Sequence, residues 1–198
     1  YAYEAIKLVS DYGIMNGTGE KTFEPDMPMT YIEALAASLK LMGYSEFAQK
    51  SGGYPTGYLH MAMQKGILIR GVSADTILTH ELCARLLDKM LVASVLLTDT
   101  VSVEYGKYFS NFKESDEKTV LDIYCGISRR KGILEATMLG SLNGKNTNGN
   151  TLMLDGKIYY ADFETLGADK ANELIGCSVE FYCHSENNGV EKIIFMSK

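Results

Sequence analysis

The sequence predicts an α+β chain in several parts: an all-α region of two helical repeats over residues 1–96, a linker over 97–118, and a small antiparallel β-barrel or sandwich over 119–198. Three observations carry that expectation. A unit of amphipathic helix, glycine-punctuated loop and second amphipathic helix occupies residues 1–44, and a weaker copy follows over 47–96. Self-similarity at a period of about fifty residues marks units that cannot bury their apolar faces alone. Beyond Leu97 the apolar spacing turns from helical to alternating, and turn clusters separate short runs.

In the first unit Ala5, Ile6, Val9, Tyr12 and Ile14 form a helix-period stripe that Gly13 terminates. Asn16-Gly17-Thr18-Gly19 turns the chain, and Phe23 and Pro25 punctuate an extended loop that runs to Met29. Thr30-Tyr31-Ile32-Glu33 reads as a capping box, in which hydroxyl and carboxylate each satisfy an otherwise unpaired amide at the helix start. Ile32, Leu35, Ala36, Leu39 and Met42 form the buried stripe of the helix it opens, and Gly43 closes that helix. In the second unit residues 57–67 stand where 1–14 stood, and 77–83 where 28–34 stood. Leu82, Cys83, Leu86, Leu87 and Met90 line its second helix, and Thr79 caps it, but Glu81 sits too close to complete the box.

In the second half, residues 98–118 are polar and weakly periodic, which predicts a linker with one short strand at 101–105. A short helix is expected over 119–124, and an alternating strand over 132–138. Thr151-Leu152-Met153-Leu154 faces Lys157-Ile158-Tyr159-Tyr160 across Asp155-Gly156, the two-residue signal of a type I′ hairpin. A helical turn over 168–174 and strands over 178–183 and 192–196, parted by Asn187-Asn188-Gly189, complete the module.

Composition restricts the function. The chain has 198 residues and a net charge of -6 spread over both halves, so it lacks the basic stripe that a phosphate backbone requires. No apolar run reaches the roughly 18 to 20 residues of a membrane span. Opening on Tyr1 without a leader, the chain reads as a processed or trimmed fragment. The four cysteines, Cys83, Cys125, Cys177 and Cys183, form no Cys-x-x-Cys pair; burial as free thiols is expected over metal binding or a disulfide framework. Alternation places Cys177 and Cys183 on one strand face. The three histidines are scattered, no nucleophile elbow or phosphate loop is present, and pairs such as Asp155 with Asp162 read as solvated charges. No catalysis and no cofactor are expected.

The first unit resembles an S-layer homology (SLH) repeat. The matching residues are Tyr1-Ala2-Tyr3-Glu4-Ala5-Ile6, Gly13-Ile14, Asn16-Gly17, Thr22-Phe23, Pro25, Pro28-Met29-Thr30 and Glu33-Ala34; the likeness is partial over the second unit. The resemblance implies a secreted, non-catalytic surface protein of a Gram-positive, clostridial-type bacterium, located in the cell wall or S-layer. It implies anchoring to an anionic secondary cell-wall polysaccharide by repeats that pack, usually three together, into a helical bundle. In the family an arginine at the start of the second helix pairs with a sugar carboxylate, aided by the helix N-terminus and by loop glycines. Tyr31 and His80 stand at that position here, and Phe47-Ala48-Gln49 stands where the family has Phe-x-Asp. The resemblance thus marks Tyr31, His80, Gly17, Thr30 and Tyr3 as polysaccharide contacts, against plain alternatives: loop packing for Tyr31, a solvated cap for His80 and turn formation for Gly17. Residues 131–133 and 174–182 are weakly similar to β modules that follow such repeats in clostridial surface proteins. The alternative function is a degenerate repeat pair serving assembly, and with two repeats a homodimer or an intramolecular cover is expected over the apolar helix surface.

Overall fold

A computed structural model describes residues 2–19, 22–104, 107–161, 168–185 and 189–198. Asp162 and the Asn187-Asn188 pair lie outside the described residues. The chain is α+β and divides into two compact units, Tyr1–Val120 and Leu121–Lys198.

The first unit contains five helices: α1 (Tyr3–Asp11), α2 (Tyr31–Leu41), α3 (Ser45–Lys50), α4 (Thr56–Gln64) and α5 (His80–Leu91). Helix α2 is its axis, packing on α3, α4 and α5. It buries Tyr31, Ile32, Ala34, Leu35, Ala36, Ser38 and Leu39, so most of its circumference is core, not the single stripe that the sequence suggests. Helix α3 carries Phe47-Ala48-Gln49, the segment that stands where the family has Phe-x-Asp. The two repeat-like segments share local geometry. The amides of Ile14 and Met15 converge on the Val9 carbonyl at 2.9 and 3.1 Å, and those of Ile67 and Leu68 converge on Ala62 at 3.0 and 3.2 Å. Gly13 and Gly66 supply the left-handed residue at each helix end, with φ of 63° and 72°. They differ in packing, because α4 buries Tyr58, Met61 and Ala62 whereas α1 buries no residue.

The segments leading into α2 and α5 pair with each other. Thr30 and Ile77 form an antiparallel bridge, Leu78 N–H donates to Met29 at 2.8 Å, and the Tyr31 and Ile32 amides donate to Thr76 and Ala74 at 2.8 and 3.0 Å. The Tyr31 side chain is wholly buried beneath this pairing, and its hydroxyl accepts from the Ile69 amide at 2.6 Å.

Residues 97–118 are expected as a linker with one short strand at 101–105; the described residues hold two long strands instead. β1 (Ser94–Glu104) pairs with β2 (Lys107–Thr119) as a long antiparallel ribbon, so the first compact unit holds strands as well as helices. A two-stranded ribbon need not bury one face, so its sequence lacks the alternation that marks a strand on a core. Its base is fixed to the helices. Leu96 N–H donates to Met42 at 2.9 Å, Val120 N–H to Ala93 at 3.3 Å, and Phe112 meets Phe47 edge-on at 6.0 Å. Gly43, at φ 89°, lets the chain pass: a Cβ there would sit 2.8 Å from the Leu96 carbonyl.

The second unit opens with a π-helical turn (Leu121–Cys125) where a short helix was expected. Strands β3 (Ile127–Ala136), β4 (Thr151–Leu154), β5 (Lys157–Ala161), β6 (Ser178–Ser185) and β7 (Glu191–Ser197) close into a barrel in the order β3-β4-β5-β7-β6. Helix α6 (Ala168–Glu173) lies between β5 and β6 in the chain. Because the chain crosses over through α6 before β7 returns beside β5, that pair is parallel, and the expected all-antiparallel barrel has one parallel seam. A five-stranded barrel with this order is an OB-type arrangement. Asp155 and Gly156 have φ of 46° and 74°, as the type I′ hairpin demands. Val179, Phe181 and Cys183 point inward with Leu134, Leu152, Leu154 and Ile193. Cys177, one residue before β6, is half-buried and packs against the same core as the inward Cys183; all four thiols are free. At one end of the barrel Arg130 grips Glu191 with two bonds, at 3.0 and 2.7 Å, and donates to the Tyr159 hydroxyl at 3.2 Å. Lys157 joins the same carboxylate.

Replacing Tyr31 with Phe keeps the core volume but leaves the Ile69 amide without its acceptor. A loss of about 1–3 kcal/mol is expected for that unpaired amide, read as a lowered midpoint with unchanged slope in denaturant unfolding of the first unit.

Candidate functional site

Of the five residues that the sequence singles out, Tyr3 and Gly17 line one open hollow, whereas Tyr31, Thr30 and His80 do not line it. Tyr31, expected at an exposed helix start, is a core residue with no exposed surface. Burial pushes its phenol above the usual range, against the opposing pull of the Ile69 amide and Arg85. A side chain so enclosed cannot stack on a ligand. Thr30 is occupied as the cap: its amide and its hydroxyl each donate to the Glu33 carboxylate at 2.7 Å. Gly17 is held by sterics, since a Cβ would collide with the Thr22 carbonyl, which accepts from Thr18 N–H at 3.0 Å across the turn. His80 is exposed at the start of α5, beside the Thr79 cap on Leu82 N–H at 3.2 Å. Tyr3 is 70% exposed on α1.

The helix start at which the resemblance places an anion site is closed. An anion needs free amides in the first turn. Here the Tyr31 and Ile32 amides are bound to Thr76 and Ala74, and the capping box completes the turn.

An open hollow of about 350 Å³ lies instead along the other flank of α2, and Tyr54 and Tyr58 line it. Tyr58 is buried and hydrogen-bonded by Gln49 at 3.3 Å. Tyr54 is 55% exposed and meets Tyr58 edge-on at 6.1 Å, so one ring forms floor and the other an accessible wall. Burial, with the negative charges of Glu33 and Asp75, pushes the Tyr54 phenol upward, so it is a neutral hydrogen-bonding group at neutral pH. Lys40 supplies a cation, Glu33 an anion, and Asn16 and Gln49 amide groups. The Thr30 amide and hydroxyl hold the Glu33 carboxyl below its usual range, so it stays charged. An aromatic wall with a few polar groups on an apolar base can hold a sugar ring by its C–H face and its hydroxyls.

Sequence reasoning missed Tyr54 and Lys40. Gln49 carried a signal, because it occupies the aspartate position of the repeat pattern. Tyr54 carried none, since its placement depends on α3 and on its contact with Tyr58.

Residues 1–35 match the family model of the S-layer homology domain. An S-layer homology domain is therefore present, extending from α1 through the loop into the first turns of α2. Such domains typically anchor proteins to the cell wall by binding its polysaccharide, and the family is typically non-enzymatic. The match points to a cell-surface or cell-wall location, and among the described residues no helix is long and apolar enough to cross a membrane. Neither the curated proteins nor the solved structures give a match.

Two outcomes follow. Restoring the family's arginine by Tyr31→Arg destabilises the unit by about 3–5 kcal/mol, because it buries an unpaired charge, and calorimetry reads this as a lower melting temperature with no gain in binding. The cap adds a pH dependence. Glu33 is depressed in the folded state, so its contribution is present above the ordinary value of 4.5 and lost as pH falls through the lower folded value. Glu33→Gln should flatten that acid limb of a thermal-stability profile.

Proposed function

We propose that the N-terminal unit anchors this protein to an anionic cell-wall polysaccharide through the hollow under Tyr54. The observation that carries the reading is the exposed Tyr54 ring beside Lys40, Gln49 and Asn16 in an open hollow of a unit with an S-layer homology match. Tyr54 stacks on a sugar face. Lys40 meets the acidic substituent as a point charge, in place of the two-pronged grip that an arginine would give. Gln49 and Asn16 read hydroxyls. The reading makes this a secreted, wall-associated, carbohydrate-binding protein, and it leaves His80 outside the contact.

A second reading, in which the unit serves assembly, is favoured by one feature: Leu8 on α1 and Tyr12 at its C-cap are 57% and 75% exposed. A partner copy covering that face would make a homodimer.

Co-sedimentation with purified wall sacculi at low salt separates the two. The anchor reading expects binding that Tyr54→Ala and Lys40→Gln each weaken by about tenfold, or 1.4 kcal/mol, while His80→Ala leaves it intact. Failure of the unaltered protein to sediment would sink that reading. A dimer in analytical ultracentrifugation that Leu8→Asp dissociates would then support assembly.

A further inference from the structure

We propose that the hollow under Tyr54 is one end of a longer channel that holds an internal stretch of an acidic polysaccharide, with a second polar subsite on α1 at Tyr3, Lys7 and Asp11. The inference rests on the carbohydrate reading above and extends it from one sugar to a length of polymer.

Three open hollows, of about 350, 310 and 380 Å³, follow one another on the first unit. The first and second share Met15, Asn16, Met29 and Glu33 as walls, and the second and third share Gly17 and Phe23. Hollows that share walls in succession lie side by side, as the subsites of one groove do. Each falls in the size range of ligand sites, about 300–1,000 Å³.

The two ends repeat one chemistry. The first holds Tyr54, Lys40 and Glu33, and the third holds Tyr3, Lys7 and Asp11. Both tyrosines are more than half exposed, at 55% and 70%. Each end thus offers an aromatic face, one cation and one hydrogen-bond acceptor carboxylate. Between them the middle hollow is walled largely by Phe23, Pro25, Met27 and Pro28, with Met27 59% exposed. The middle hollow also carries Asn16, Thr18, Glu24 and Glu33 but, among the described residues, no cation, so a polymer would place its acidic groups at the two ends and lay uncharged ring faces over Phe23, Pro25, Met27 and Pro28. A ligand recognised only at its terminus would need a single such end.

The test is isothermal titration of the full chain with acid-released fragments of purified wall polysaccharide, separated by size. Affinity should rise by about tenfold or more from the shortest fragments to those long enough to span both ends. In a Tyr3→Ala, Lys7→Gln variant long fragments should bind only as tightly as short ones. Both positions lie on exposed α1, so circular dichroism of the variant should match the unaltered chain. Equal affinity at every length, or a variant that keeps the length dependence, would overturn the channel while leaving the Tyr54 hollow standing. Failure of fragments of every length to bind would overturn both.

Discussion

The first unit depends on how the start of α2 is docked. Its first two amides donate to carbonyls of the segment that leads into α5, and the Tyr31 ring lies beneath them with its hydroxyl on the Ile69 amide. These bonds settle two demands at once. They satisfy the amides that a helix start leaves unpaired, and they join two sequence-similar segments around one buried phenol. Leu35 and Leu39, both fully buried, follow Tyr31 along the same helix into the core. An arginine at this position would have to remain hydrated or paired. A tyrosine can be buried, provided its hydroxyl has a partner, and that exchange turns a ligand contact into a packing element.

The same docking decides where a ligand can be met. With the α2 start closed, the proposed contact with an anionic sugar falls on the flank whose hollow Lys40, Tyr54 and Gln49 line. The change has a cost in geometry. Lysine presents one flexible charge, so orientation must come from the ring and the amides. The fixed part of the proposed site is therefore the edge-on Tyr54–Tyr58 pair, with Gln49 donating to the Tyr58 hydroxyl.

The barrel solves a separate problem with a similar device. Arg130 comes from the inward row of β3 at the end of the barrel, where a charged group must be paired or solvated. Glu191 from β7 and Lys157 from β5 complete it, and Tyr159 accepts the remaining guanidinium bond. Desolvation alone would raise the Glu191 carboxyl, but the Arg130 and Lys157 bonds outweigh it and hold the group below its usual range. Three strands distant in sequence are joined by one carboxylate, which ties the parallel seam to the rest of the sheet.

Local signals were legible in the sequence. The Thr30 to Glu33 cap, the Gly13 helix stop, the Thr79 cap and the Asp155-Gly156 hairpin each depend on neighbours within a few residues, and each takes the form that its residue types require. The alternating runs at 151–154 and 157–160 likewise form paired strands, because one face of each is buried. Of the ribbon formed by Ser94–Glu104 and Lys107–Thr119, only a short strand at 101–105 was expected, because neither of its faces needs to be apolar. Tyr31 escaped because its burial depends on Ile69 and on the segment from Ala74 to Thr76, about forty residues away. By itself the sequence determined the helix ends, the caps, the hairpin and the S-layer homology signature, all products of short-range sterics and hydrogen bonding. Only the tertiary structure decided that the signature's contact position is buried and that Tyr54, Lys40 and Gln49 share a hollow, because burial and proximity are set by long-range packing that no local pattern encodes.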